Sequence, residues 1–186
     1  SRVVKIGRHA AMELNCGRKA KLYEGDVIVG AFGSRYATNQ YEGCVPQQMD
    51  HYHMLSQGAV LGQVVSADYS MGEPTVIEPV GFIDAGGGEV LNLRRFGLAA
   101  VEEQPVTVPV LLLLGTSMDA VKTTAAASLV RGLSRAGWNV HAGKLTGTGC
   151  AKDINHMRDA VARRVLDFTS FGFDSTASPG HTTLEF

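Results

Sequence analysis

The stretch Val110-Leu-Leu-Leu-Leu-Gly115-Thr-Ser-Met-Asp-Ala-Val-Lys-Thr-Thr124 is the most informative part of this 186-residue chain. Its continuous apolar run predicts a parallel strand, covered on both faces, over residues 110–114. A glycine turn follows, and then a helix that carries Lys122 and Thr123 in its first turn. Backbone N–H groups and the positive end of a helix meet at such a turn, so they attract anions there. This order of elements predicts a loop that binds phosphate groups.

The residue types in the loop indicate what each residue would do in a nucleotide site. A lysine at this place sets a full positive charge beside the β- and γ-phosphates, and the hydroxyl after it can ligate magnesium. Lys122 is therefore a candidate catalytic residue, and Thr123 is a candidate magnesium ligand. The candidate cofactor-binding residues are Gly115, Thr116, Ser117, Met118, Asp119, Ala120, Val121, Lys122, Thr123 and Thr124.

The loop departs at two points from the usual pattern G-x-x-x-x-G-K-[ST]. Six residues rather than five separate Gly115 from Lys122, and Val121 stands where the second glycine is expected. A β-branched residue is strained at positive φ, and its side chain occupies space beside the phosphates. Two alternatives stay open: a working nucleotide site, and a degenerate nucleotide-binding or regulatory module without hydrolysis.

With its longer spacing, the loop resembles that of P-loop proteins of the dethiobiotin synthetase type, which reads G-T-x-x-x-x-G-K-T. The resemblance covers residues 108–177, and it implies a doubly wound parallel sheet with ATP and magnesium as cofactors. It also implies a catalytic role for Lys144, because that family carries a lysine at the end of the corresponding strand. Stretches around residues 143–149, 158–160 and 166–169 further resemble an uncharacterised P-loop family distantly related to D-glutamate N-acetyltransferases. That relationship implies acetyl-CoA as an alternative cofactor and N-acyl transfer as an alternative reaction.

The chain divides into two unlike halves, which we expect to be domains of residues 1–103 and 104–186. The first half is rich in glycine and in short strand-like runs, including residues 59–67, 75–83 and 89–93, and it predicts a β-rich barrel or sandwich. The second half alternates strand and helix, which predicts an α/β fold with a parallel sheet. Its helices are expected over residues 122–136 and 153–163, and its later strands over 139–145 and 165–168. Three strands are few for a P-loop domain, so we expect this sheet to be incomplete.

Asp167 is the third candidate catalytic residue. It lies at the carboxyl end of the last predicted strand, where phosphoryl-transfer sites place an acid that binds metal or positions water. It is therefore also a candidate magnesium ligand. Cys150 follows the glycine-rich turn after Lys144, and it is interpreted as a packing residue because no basic partner can be assigned to it.

Composition excludes several classes of partner. Apolar residues make up 45% of the chain and charged residues 19%, with a formal net charge of -1, so we expect neither nucleic acid nor membrane as a partner. Three widely spaced cysteines indicate reduced thiols and a cytoplasmic protein. A homo-oligomer is a further expectation, because two-fold axes often complete active sites.

These observations together predict a nucleotide-binding P-loop protein. We expect ATP- and magnesium-dependent phosphoryl transfer or ligation on a small carboxylate or amine metabolite, with an enzyme of ligase or kinase type favoured.

Overall fold

The computed structural model describes residues 1–48, 50–99, 105–117 and 120–177. Within these ranges the fold is α/β, with a mixed multistranded sheet in the first half and two helices beside a parallel strand pair in the second. The boundary expected between residues 103 and 104 lies outside the described residues.

The first half is confirmed as β-rich. Its strands are β1 (Arg2–Lys5), β2 (Ala11–Glu13), β3 (Lys19–Lys21), β4 (Ala31–Phe32), β5 (Tyr41–Cys44), β6 (Tyr52–Met54), β7 (Val60–Ala67) and β8 (Val76–Glu78). Six of them form one sheet in the order β1-β8-β6-β7-β4, with β5 also paired to β7, while β2 and β3 form a separate hairpin. Strand β4 runs parallel to β7, and the other pairs are antiparallel.

The three strand predictions in this half have different outcomes. The run over residues 59–67 is confirmed as β7, whereas the one over 75–83 forms only the three residues of β8. The strand prediction for residues 89–93 is wrong. In the structure this run makes only an isolated β-bridge, between Val90 and Asp84. Turn-forming glycines around this segment limit its pairing to that one bridge.

The second half contains α1 (Lys122–Arg135), β9 (His141–Lys144), α2 (Lys152–Asp159) and β10 (Arg164–Asp167), in the predicted order. β9 and β10 are parallel, as the strand–helix–strand alternation predicts. Helix α1 buries Ala127 and Val130 in a small core that also contains Ala160. This core is separate from the larger one of the first half, which includes Tyr52, Met54 and Ile77.

The apolar run over residues 110–114 was wrongly predicted to be a buried strand. It has no regular secondary structure, and Val110, Leu111 and Leu114 are 70%, 63% and 81% exposed. A parallel strand is stabilised by hydrogen bonds to neighbours and by helices on both faces. Among the described residues, β9 and β10 pair only with each other, so the run has no strand beside it. The described residues of this half thus contain one parallel strand pair, and the predicted doubly wound sheet is not confirmed.

A tight contact joins the two halves at the loop between β9 and α2. The Ser56 hydroxyl donates to the Gly149 carbonyl oxygen at 3.1 Å, and a Cβ at Gly58 would lie only 2.0 Å from that oxygen. The Glu13 carboxylate accepts from the backbone N–H of Ala151 at 2.8 Å, just before α2 begins. The halves therefore share one packed interface.

Candidate functional site

The loop before α1 folds back on itself through the lysine side chain. Lys122 is the first residue of α1, and its ammonium donates to the carbonyl oxygen of Ser117. The Ala120 N–H donates to the same oxygen at 3.4 Å. At Gly115 an added Cβ would lie 2.9 Å from Cγ of Lys122, so the lysine stem packs directly on this glycine. The Lys122 side chain therefore contacts both Gly115 and Ser117, and its ammonium is held by a neutral partner.

Val121 adopts the backbone conformation expected of the missing glycine. Its φ is 56° and its ψ is 16°, which is the left-handed region, and it is the N-cap residue of α1. Such a conformation strains a β-branched residue by about 1–3 kcal/mol. The side chain is 63% exposed, so packing contributes little to offset the strain. The structure therefore has the turn geometry of a glycine but carries an isopropyl group at that point.

The start of α1 is electropositive. The apolar side chain of Val121 supplies no hydrogen-bond acceptor, and the first turn of α1 contains no acidic residue. Free N–H groups and the helix dipole both favour an anion at this position. Thr123 and Thr124 lie in this first turn, whereas the candidates Met118 and Asp119 lie outside the described residues.

Lys144 and Asp167 end neighbouring parallel strands. They are direct partners in the register of β9 and β10, as the sequence predicts for residues at the carboxyl edge of one sheet. The Lys144 ammonium forms an ion pair with Asp153 in the first turn of α2, and both side chains are about three-quarters buried. Within the part of the chain that the structure describes, no hydrogen bond or ion pair connects Lys144 or Asp167 to Lys122.

Asp167 is a buried carboxylate with one satisfied oxygen. Its Oδ1 accepts from the Thr169 N–H at 3.0 Å and from the Thr169 hydroxyl at 2.6 Å, which caps the 3-10 helix Phe168–Phe171. Only 2% of the residue is exposed. Its Oδ2 finds no hydrogen-bond donor among the described residues, although buried polar atoms are nearly always paired. Asp167 thus has an unused acceptor in a buried position.

A cavity of about 990 Å³ lies between the two halves. The second half lines it with Asp167, Thr169 and Asp174, and the first half lines it mainly with apolar side chains. None of the described residues of the loop 115–124 lines it, so the cavity and the loop are distinct features.

Asp174 is a second carboxylate of this cavity that sequence reasoning missed. A Cβ at Gly33 would lie 1.5 Å from Oδ2 of Asp174, so only glycine permits the carboxylate to pack there. This Oδ2 also finds no donor within the described ranges. Burial raises the pKa of the Asp174 carboxyl, while the backbone N–H groups of Asp174 and Ser175 partly counter the shift. No local pattern marks the residue, because Gly33 is far away in sequence.

Glu13 was not predicted as a site residue, because its partners Cys150 and Ala151 follow it in the sequence by more than 130 residues. Besides accepting from Ala151, its carboxylate accepts from the Cys150 thiol at 3.4 Å. Burial raises the pKa of the Cys150 thiol, and the negative charge of Glu13 raises it further. A thiol held in this way is not a ready nucleophile, and the geometry agrees with its interpretation as a packing residue.

His9 makes the stability of the first half dependent on pH. Burial and the neighbouring Arg35 guanidinium lower its pKa to about 4, with smaller contributions from Arg8 and Lys19. Between about pH 6.5 and 4 the unfolded chain binds a proton that the folded chain does not, so stability falls as the pH falls through this window. From pH 7 to 5 we expect a loss of about 2 kcal/mol from this group.

Urea unfolding at several pH values measures the His9 effect. His9→Gln, which can still donate to the Leu55 carbonyl oxygen as His9 does at 3.1 Å, should flatten the slope between pH 7 and 5. His51→Gln, at an exposed histidine, should leave the slope unchanged. An equal slope in wild type and His9→Gln would show that His9 is not held neutral.

No group of three or more His, Cys, Asp or Glu side chains among the described residues is arranged to hold a metal ion. None of the helices in the described ranges has the length and apolar character needed to cross a bilayer. No protein-family model, curated protein or solved structure matches the chain. The resemblance to P-loop proteins therefore stays a prediction, and the loop geometry is the basis for any functional proposal.

Proposed function

We propose that this protein binds the phosphate groups of ATP at residues 115–123 and transfers a phosphoryl group to, or ligates, a small carboxylate or amine metabolite. The observation that carries the proposal is the loop geometry, in which the Lys122 ammonium lies on the Ser117 carbonyl oxygen and Val121 is left-handed. A carbonyl oxygen is a weak partner for a full charge, and a phosphate would attract the ammonium more strongly.

The charge distribution of the loop supports an anionic ligand. Lys122 has no carboxylate partner among the described residues, and α1 begins without an acidic residue in its first turn. The lysine charge and the helix dipole then add at one point, as they do where helices bind phosphate. By contrast, the Lys144 ammonium is already paired with Asp153, so it would act on a phosphoryl group only after leaving that partner.

Thr123 fits the magnesium ion that such a nucleotide carries. Its hydroxyl follows Lys122 in the first turn of α1, and magnesium usually takes only one or two protein ligands beside phosphates and water. The ion would neutralise charge on the phosphates when bound. Asp167 stays a candidate ligand from sequence alone, because it lines the cavity and none of the described loop residues does so.

The test is a calorimetric titration of the full chain with ATP, with and without magnesium. Lys122→Ala should weaken ATP binding about tenfold, which is the loss of one charge-assisted contact of about 1.4 kcal/mol. Lys152→Ala is the matched control, because Lys152 is also the first residue of a helix, and it should leave the affinity unchanged.

Two results would count against this function. The absence of ATP and ADP binding at millimolar concentration would exclude it, and so would equal losses in Lys122→Ala and Lys152→Ala. Acetyl-CoA titrated in parallel identifies the alternative ligand, since binding of acetyl-CoA in place of ATP would replace phosphoryl transfer by acyl transfer.

A further inference from the structure

We infer that the cavity between the two halves binds a primary ammonium group attached to an apolar body, with Asp167 as the residue that receives the ammonium. This inference goes beyond nucleotide binding at the loop and does not depend on it. It rests on a buried carboxylate without a full set of partners, on the charge of the cavity, and on the apolar wall that the first half contributes.

The unpartnered oxygen of Asp167 calls for a hydrogen-bond donor. The residue is 2% exposed, and its Oδ2 has no donor within the described ranges, while Oδ1 is held by Thr169. Leaving a buried carboxylate oxygen unpaired is unfavourable, because the group has lost its water without gaining a replacement. A ligand ammonium supplies both an N–H donor and an opposite charge.

Carboxyl groups outnumber cationic groups along the cavity. Its ionisable groups in the described residues are three carboxyls, Glu13, Asp167 and Asp174, the Arg94 guanidinium and the Ser1 ammonium, which already donates to the Ile28 carbonyl oxygen. Glu13 already accepts from the backbone in front of α2, and the Arg94 guanidinium stacks on the Phe173 ring at 4.0 Å from its centroid. The two aspartates remain, and each has a buried oxygen that lacks a donor among the described residues.

The first half contributes an apolar wall that fits the body of the ligand. It includes Ile28, Phe32, Phe82, Ile83, Leu91 and Phe96. Phe82 is 58% exposed although its ring lies 6.1 Å from that of Phe32, so it offers free apolar surface. At about 990 Å³ the cavity is at the upper end of the usual range for small-molecule sites. A ligand that consists of an ammonium alone would leave this apolar wall exposed to water, whereas an aliphatic or aromatic body would cover it.

The experiment titrates the full chain with phenethylamine at pH 7 in a calorimeter, with phenylacetate and 2-phenylethanol as the anionic and neutral compounds of matching shape. We expect phenethylamine to bind with a Kd on the order of 1 mM or tighter, and the other two at least tenfold more weakly. Asp167→Asn should weaken phenethylamine at least tenfold, and Asp159→Asn, at an exposed aspartate of α2, should not change it.

A second variant keeps the test decisive if Asp167→Asn folds poorly. Phe82→Ala removes a half-exposed side chain from the wall and should weaken phenethylamine severalfold with the fold intact. Lys122→Ala should leave phenethylamine binding unchanged, which separates this site from the nucleotide site. Equal binding of the amine, acid and alcohol would overturn the inference. Magnesium binding that Asp167→Asn abolishes, without any binding of the amine, would overturn it in favour of a metal site.

Discussion

Replacing Gly58 with alanine is expected to lower the free energy of unfolding by about 3 kcal/mol, because the new methyl group collides with backbone that cannot rotate away. A Cβ at Gly58 would lie 2.0 Å from the Gly149 carbonyl oxygen and 2.7 Å from its carbonyl carbon. Gly149 cannot retreat easily. Its carbonyl oxygen accepts from Ser56 at 3.1 Å, and its N–H donates to the Asp174 carbonyl oxygen at 2.7 Å.

The expected damage from this substitution reaches beyond the collision itself. Displacing the loop at Gly149 would also pull Ala151 away from the Glu13 carboxylate, and α2 would lose an acceptor in front of its first turn. Loss of such a capping contact usually lowers stability by about 1 kcal/mol. The interface between the halves and the start of α2 are therefore coupled at one contact.

Urea unfolding followed by circular dichroism measures the effect, and Gly81→Ala is its control. A Cβ at Gly81 meets nothing within 4 Å, and neither Gly58 nor Gly81 has positive φ, so the two variants differ chiefly in what the methyl group meets. Gly81→Ala should be neutral or slightly stabilising, since alanine restricts the unfolded chain. Equal stability of the two variants would contradict the close docking of the two halves.

The elements that could be predicted from sequence are those whose structure is determined by residues close together in the chain. The boundaries of α1 and the parallel pairing of β9 and β10 follow from periodicity and alternation within about 50 residues. The run over residues 110–114 shows the limit of this reasoning, because its burial depends on neighbouring strands rather than on its own apolarity.

The same division applies to the candidate site. The positions of Lys122 and Thr123 at the start of α1 were predictable, since a turn and a helix start are encoded in adjacent residues. The position of Asp167 at a strand end was predictable. Its unpaired oxygen was not, because the surrounding fold decides which hydrogen-bond donors reach it. Glu13 and Asp174 gave no local signal, since they meet partners that are distant in sequence.

Replacing Val121 with glycine is expected to raise both stability and nucleotide affinity. The residue is held at a φ of 56°, where a β-branched side chain is strained by about 1–3 kcal/mol. Glycine relieves that strain but loses about 0.5–1 kcal/mol of chain entropy, so a net gain of about 1 kcal/mol in the free energy of unfolding should remain. Removing the isopropyl group also leaves no side chain at the residue directly before Lys122.

The affinity gain has a separate cause from the stability gain. If Val121 keeps this conformation when ATP binds, the strain is equal in the free and the bound protein, and its relief alone does not change ATP binding. The isopropyl group, however, stands at the loop where glycine lets a phosphate approach the backbone closely. We expect about a tenfold tighter Kd for ATP in Val121→Gly, which corresponds to about 1.4 kcal/mol.

Val161→Gly separates these two effects experimentally. Val161 has a φ of 73° after α2 and is 54% exposed, so it matches Val121 in residue type, backbone conformation and exposure. Both variants should gain stability in urea unfolding, but only Val121→Gly should bind ATP more tightly by calorimetry. If both variants bind ATP with the wild-type affinity, the loop does not receive the phosphates. If Val161→Gly improves binding equally, general stabilisation rather than space at residue 121 is responsible.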